Sequence, residues 1–236
     1  MIDLSICLIF RKEDAHYLTQ CTDSLPPGVE LCVVQCMESP GLTTRFVVTE
    51  EKQMPNGTVI RQAVWFYPRN NFRFDLARNK ALTLARRTWV LALDADERLL
   101  AHQWPDWIQA TEEAPANVGG LTVGVCGSIP RGSDGTMSRH NGAQARLFRN
   151  RPDIYFRKRV HEFFGLSETI EEAGLSIIES TLLVHHVGYE TSNKELLKKC
   201  ARNIALSCRE LAANPHQPDI QHKLFETLQL QHELRG

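Results

Sequence analysis

The chain has 236 residues, 42% of them hydrophobic and 23% charged, which at roughly 100–200 residues per domain points to one substantial domain with at most a small appendage. Twenty-seven Lys and Arg against twenty-eight Asp and Glu leave a net charge of −1, which excludes a polycation and an acidic disordered tail. Fourteen Gly and eleven Pro exclude a collagenous or low-complexity chain.

The apolar run Ile6–Phe10 lacks a basic leader and stops at Arg11-Lys12-Glu13-Asp14, so it reads as a first buried strand rather than a signal peptide or membrane span. Strand-like stretches at Leu4–Phe10, Leu31–Gln35, Val64–Tyr67 and Trp89–Leu93, with helical patterns between some of them, predict an α/β domain with a mainly parallel sheet. Ala77, Ala81, Leu84 and Ala85 fall at i, i+4, i+7 and i+8, which predicts a helix over Asp75–Arg87 with Asp75 as its cap. After Asp106–Glu113 the composition shifts to Gly and Ser. Leu121–Val125 then reads as a strand and Ser128–Asn141 as a long loop.

The stretch Arg139–Arg159 holds seven Arg or Lys and one acid, Asp153, and its apolar positions Leu147, Phe148, Ile154, Tyr155 and Phe156 suggest two strands. Asn193–Ala213 and Asp219–Leu234 are helical in pattern and are separated by Asn214-Pro215-His216-Gln217-Pro218, which makes the tail a helical hairpin. No repeat of fixed period is present, although such a hairpin can be one unit of a helical array. Seven cysteines, odd in number and without a C-x-x-C pair, read as reduced thiols of a cytoplasmic protein. Nowhere do about 18 apolar residues run together, so no membrane-spanning segment is expected.

Asp94-Ala95-Asp96-Glu97 directly follows the strand Trp89–Leu93, so its carboxylates stand at the carboxyl end of a strand, where open α/β sheets place ligands. In extended backbone Asp94 and Asp96 point the same way, which suits one divalent cation; the alternative is a polar turn with Asp capping the next helix. His161-Glu162 follows the basic strands and His185-His186 follows Leu182–Val184, so these side chains are candidates for a joint site with the carboxylates. His161-Glu162-Phe163-Phe164-Gly165 is not a zinc-protease motif, since Gly165 occupies the second ligand position. Phosphate-loop, dinucleotide-binding and nucleophile-elbow signatures are absent.

Taken together, Phe74-Asp-Leu-Ala-Arg-Asn-Lys-Ala-Leu82, Trp89-Val-Leu-Ala-Leu-Asp-Ala-Asp-Glu97, Arg146-Leu-Phe-Arg149, Val160-His-Glu162 and His186-Val-Gly-Tyr189 resemble family 2 glycosyltransferases in order and spacing, as does the Ser5–Leu25 stretch. The resemblance covers about Ile2 to Tyr189. It implies a Rossmann-like A-type glycosyltransferase domain over residues 1–190, with 191–236 as a C-terminal helical extension, a nucleotide-sugar donor, and a divalent metal, Mn2+ or Mg2+. It further implies Asp96 as metal ligand with Asp94 nearer the donor ribose and Ala95 between them, and His186 completing the metal or diphosphate site. Glu162 falls at the position of the catalytic base, with His161 as the competing candidate, and Arg78 at one serving the donor phosphates or packing its helix.

The segment after the second strand departs from the family pattern. Gln35 stands where a base-recognising Asp is expected, and Glu38 is a candidate substitute from a shifted position. The expected function is a metal-dependent inverting transfer to a hydroxyl or thiol acceptor such as a saccharide, a protein side chain or a modified nucleic-acid base. Arg146, Arg149, Arg157, Lys158 and Arg159 either bind acceptor anions or keep the surface soluble. The alternative is a catalytically inactive, glycosyltransferase-like binding protein.

Overall fold

In the computed structural model, residues 2–41, 43–69, 71–131, 136–189 and 192–235 are described. They form ten strands and six α-helices. β1 (Leu4–Arg11), β2 (Glu30–Ser39), β4 (Val59–Pro68) and β5 (Trp89–Asp94) pair in parallel in the spatial order β4-β2-β1-β5, so their carboxyl ends share one edge. β3 (Arg45–Gln53) pairs antiparallel outside β4. On the other side β5 meets β8 (Thr136–Arg149), which pairs antiparallel with β7 (Val118–Arg131). β7 then carries β9 (Ser176–Ile178) and β10 (Leu183–His186) in parallel, and β10 pairs antiparallel with β6 (Glu97–Leu99).

The run Leu4–Ile9 is apolar at nearly every position because both faces of this sheet are covered. Leu4, Ile6 and Leu8 join Leu91, Leu93 and Trp107 on one face, the last from α3 (Trp104–Glu113), beside α1 (Ala15–Asp23). Cys7 and Ile9 point oppositely, into a cluster with Ala77 and Ala81 of α2 (Phe74–Leu82) and Phe163, Leu166 and Ile170 of α4 (Glu162–Glu172). Each fully buried side chain of this kind contributes about 1.5–3 kcal/mol.

The helix expected over 75–87 is shorter, ending at Leu82, because the following amides find other acceptors. The Arg86 amide donates to Glu30 Oε2 (2.6 Å) and the Arg87 amide to Ser5 Oγ (3.1 Å). Glu30 is itself buried, accepting from Ser5 Oγ at 2.5 Å and from Arg61. Asp75 does not cap: it lies inside the first turn, buried, accepting two hydrogen bonds from Arg73 (3.0 and 2.5 Å).

Three further expectations need correction. The segment 128–141 is mostly strand, since β7 runs to Arg131 and β8 starts at Thr136; residues 132–135 of the expected loop lie outside the described residues. Leu147 and Phe148 are on β8, but Ile154–Phe156 is irregular: Asn79 replaces a strand neighbour, donating from Nδ2 to the Phe156 carbonyl (2.9 Å) and accepting the Phe156 amide (2.8 Å). The segment 35–39, expected to leave the sheet, continues β2 to Ser39.

The tail is a hairpin of α5 (Asn193–Ala213) and α6 (Pro218–Glu233), as its pattern indicates. Ser192 caps α5, its hydroxyl accepting from the Glu195 amide. The hairpin docks through polar ties: Lys158 Nζ to Asp219 (2.7 Å), the Arg159 amide to Glu210 (2.9 Å), and Lys199 to Asp96 (3.0 Å). No helix among the described residues is long and apolar enough to cross a membrane. The cysteines are free thiols, five of them buried.

Candidate active site

The carboxyl ends of β2, β1 and β5 bring the sequence-predicted residues to one edge: Ile9 pairs with Asp94, and the next residue, Phe10, pairs with Gln35. Gln35 is half-buried within β2, and Glu38 is exposed three residues further along the same strand. The chain then turns through Ala95 and Asp96 instead of continuing extended, so Asp94 and Asp96 have different partners. Ala95 is buried and contributes backbone, its carbonyl accepting from Arg98 at 2.8 Å.

Arg78 organises the first half of the site. It comes from α2, is 1% exposed, and donates through Nε to Glu162 Oε1 (3.0 Å), through Nη2 to Asp94 Oδ1 (2.6 Å) and through Nη1 to the Leu93 carbonyl (2.9 Å). A guanidinium can serve three acceptors in one plane because its donors form a rigid fork. Burial pushes Asp94 up, but Arg78 and then Arg146 outweigh it and hold the carboxyl down at about 2. Burial wins at Glu162, whose pKa is raised despite Arg78, with Asp94 adding to the rise. The two carboxylates sharing one arginine are thus driven in opposite directions.

Glu97, which the sequence reading left within an acidic run, is the second buried anchor. It is 0% exposed, receives Arg146 Nη1 on both oxygens (2.8 and 2.6 Å), and accepts the Asp94 amide (2.8 Å), which fixes the turn between the two aspartates. Burial raises its pKa to about 7 against the opposing pull of Arg146. The guanidinium carbons of Arg78 and Arg146 lie 5.0 and 4.4 Å from the centre of the Phe163 ring, within cation–π range.

Asp96 faces the β10 side. Its Oδ1 is 3.5 Å from His186 Nε2, and its Oδ2 accepts from Lys199 Nζ of α5 at 3.0 Å; that ammonium also donates to the Gly188 carbonyl (2.9 Å). A Cβ at position 188 would stand 1.9 Å from Asp96 Oδ2, so only glycine leaves the carboxylate its place. Burial lowers the His186 pKa against the pull of Asp96 and Asp94. The Asp96 carboxylate is an oxygen donor of the kind Mn2+ and Mg2+ take, whereas an imidazole suits a transition metal such as Mn2+ better than Mg2+. Among the described residues no group of three His, Cys, Asp or Glu converges for a metal.

His161 is adjacent to Glu162 in sequence but not in environment. It takes a left-handed backbone (φ 54°), and its charged neighbours are Asp219, Lys223 and Glu226 of α6; burial and Lys223 lower its pKa to about 4. His185 pairs with Arg98 across the β10–β6 ladder.

The basic stretch is mostly engaged inside the protein. Arg149 donates to the Val118, Ala114 and Pro115 carbonyls, Arg157 to Glu172 and Tyr155, Lys158 to Glu168 and Asp219, and Arg159 to Asn71. Sequence reasoning missed Glu97, Phe163 and Lys199. For Phe163 a signal existed: with Leu166 and Ile170 it gives the i, i+3, i+7 spacing of the helix α4.

No family model matches the sequence. A TPR repeat-containing protein of Synechococcus elongatus is 31% identical over 193 residues, which are 80% of this chain and 43% of that protein; the chain thus spans less than half the length of the curated relative it matches. Among solved structures, the mannosyltransferase PcManGT from Pyrobaculum calidifontis, in complex with GDP-Man and Mn2+, superimposes with a TM-score of 0.52 at 13% identity, over 99% of this chain and 73% of that one. TarS of S. aureus superimposes with a TM-score of 0.50 at 14% identity, over 95% and 43%. The chain has the fold seen in these glycosyltransferases.

Proposed function

We propose that the protein is a glycosyltransferase that moves a sugar from a nucleotide-sugar donor to a hydroxyl or thiol acceptor with inversion at the anomeric carbon. The observation that carries this reading is the Arg78 bridge, which joins a strongly acidic Asp94 at the end of a parallel strand to a Glu162 of raised basicity. The shared fold supports it, as does the complex of PcManGT with GDP-Man and Mn2+. Residues 1–190 form the transferase domain in this reading and 191–236 a helical extension.

Glu162 is the general base. It takes the acceptor proton as the acceptor oxygen or sulfur attacks the anomeric carbon, and the bond from that carbon to the donor phosphate breaks with its electron pair passing to the diphosphate oxygen. One displacement of this kind inverts the configuration. Asp94, Ala95, Gln35 and Glu38 belong to the nucleoside side of the cleft. Arg78 orients both carboxylates rather than the donor phosphates, since each of its three nitrogens already donates to a protein group. Asp96 and His186 would hold a divalent cation, which would neutralise the charge of the departing diphosphate. Glu162 is preferred to His161 as base because the charged groups around that imidazole come from α6.

A second reading, a glycosyltransferase-like protein that binds without turnover, is favoured by Gln35 in place of a carboxylate and by the Lys199 ammonium already on Asp96. A panel of UDP-, GDP- and other nucleotide sugars incubated with the whole chain and Mn2+ separates the two. Release of nucleoside diphosphate supports the transferase, and binding without release supports the second reading.

A further inference from the structure

Resting on the donor reading above, we propose that the inward face of α5 belongs to the donor site, with Lys199 and Arg202 binding the diphosphate of a nucleoside diphosphate. Lys199 and Arg202 are three residues apart on one helix and so share a face. Lys199 is held at two points, Asp96 Oδ2 (3.0 Å) and the Gly188 carbonyl (2.9 Å), with 26% of its side chain exposed, so its charge is fixed at the cleft yet reachable. The Arg202 guanidinium carbon lies 5.5 Å from the centre of the Phe74 ring, and its Nε donates to Asn203 Oδ1 (3.2 Å).

A diphosphate brought beside Asp94 and Asp96 meets two carboxylates, while Arg78 and Arg146 are buried on Asp94, Glu162 and Glu97, deeper than the partly exposed Lys199. Arg202 faces the Phe74 ring and donates to Asn203, one turn on from Lys199. Burial and the charge of Arg11 lower its pKa against the pull of Asp14, Asp96 and Asp94. A bound phosphate would supply a counter-charge to both arginines. In this arrangement the hairpin is a wall of the active site, and Lys199 passes between the Asp96 carboxylate and the phosphate oxygens of the ligand.

The test is calorimetric titration of the whole chain, in Mn2+ and separately in EDTA, with UDP, GDP, UMP and GMP. Wild type is compared with Lys199→Met, Arg202→Met and Lys199→Arg. A charge-assisted hydrogen bond is worth enough that each Met variant should bind the preferred diphosphate about 10- to 100-fold more weakly. The loss for the monophosphate should be several-fold smaller, and Lys199→Arg should recover most of the affinity. Unchanged diphosphate affinity in both Met variants, or equal losses for mono- and diphosphate, overturns the assignment to α5 while leaving the donor reading intact. A wild-type chain that binds no nucleoside diphosphate overturns both. Should the Met variants fail to fold, acetylation of Lys199 on the wild-type chain decides the same question. Protection by the diphosphate beyond that given by the monophosphate supports the proposal, and equal labelling overturns it.

Discussion

Arg78 and Glu162 are 84 residues apart in sequence, and their hydrogen bond at 3.0 Å, buried at both ends, ties the first helix of the acidic cleft to the N-terminus of α4. The same guanidinium holds Asp94, so three elements meet on one side chain. Deleting one partner of a buried ion pair leaves an uncompensated charge, which typically costs about 3–5 kcal/mol. Arg78→Met should therefore lower the unfolding free energy, measured by urea denaturation, by that order, and Arg78→Lys should recover only part of it because an ammonium lacks the fork. A loss below about 1 kcal/mol for Arg78→Met would show that the bridge does not hold the cleft together.

The acid limb of the pH profile follows from Glu162. A base works only when deprotonated, and burial raises this carboxyl above its ordinary value of 4.5. Transfer should accordingly fall as pH drops through a pKa displaced upward from the usual glutamate range. A limb at or below the ordinary glutamate value would place the titration elsewhere.

His161 sets a stability term of defined sign. Its folded pKa is about 4 against 6.5 for a free imidazole, so between those values the unfolded chain binds more protons and stability declines as pH falls from 6.5 toward 4. His161→Asn, which tolerates the left-handed backbone, should remove that component. Equal losses of stability in wild type and variant over this window, measured by urea denaturation at each pH, would count against a buried neutral imidazole.

Chelation should abolish most turnover, and Asp96→Ala should do the same without unfolding the chain. His186→Ala should be more harmful than His185→Ala, since His186 lies beside Asp96, with its Nε2 at 3.5 Å. Full activity in excess EDTA would contradict the cation assigned to Asp96 and His186.

The sheet and the Asp94–Glu97 corner were legible because a strand buried on both faces writes a continuous apolar run that ends abruptly in carboxylates. The tail hairpin was legible for the same kind of reason, a 3.6-residue period interrupted by two prolines. Lys199 was not: it lies 103 residues beyond Asp96, and no local pattern marks one lysine of an amphipathic helix as the one that meets a carboxylate. The basic stretch misled in the other direction, because composition records charge but not its partners, and Arg146, Arg149 and Arg157 all bond to groups of the same chain. Glu97 was hidden by its own neighbours, since an acidic run reads as solvated until the register turns one member inward onto Arg146.

The central claim is that Glu162 removes the acceptor proton in a sugar transfer. Single-turnover transfer from the preferred nucleotide sugar, measured beside donor Kd for wild type and Glu162→Gln, tests it most directly. Transfer by Glu162→Gln should slow by about 10²–10⁴-fold with donor affinity nearly unchanged. Near-normal transfer by folded Glu162→Gln, above all beside an inactive but folded His161→Ala, would contradict it.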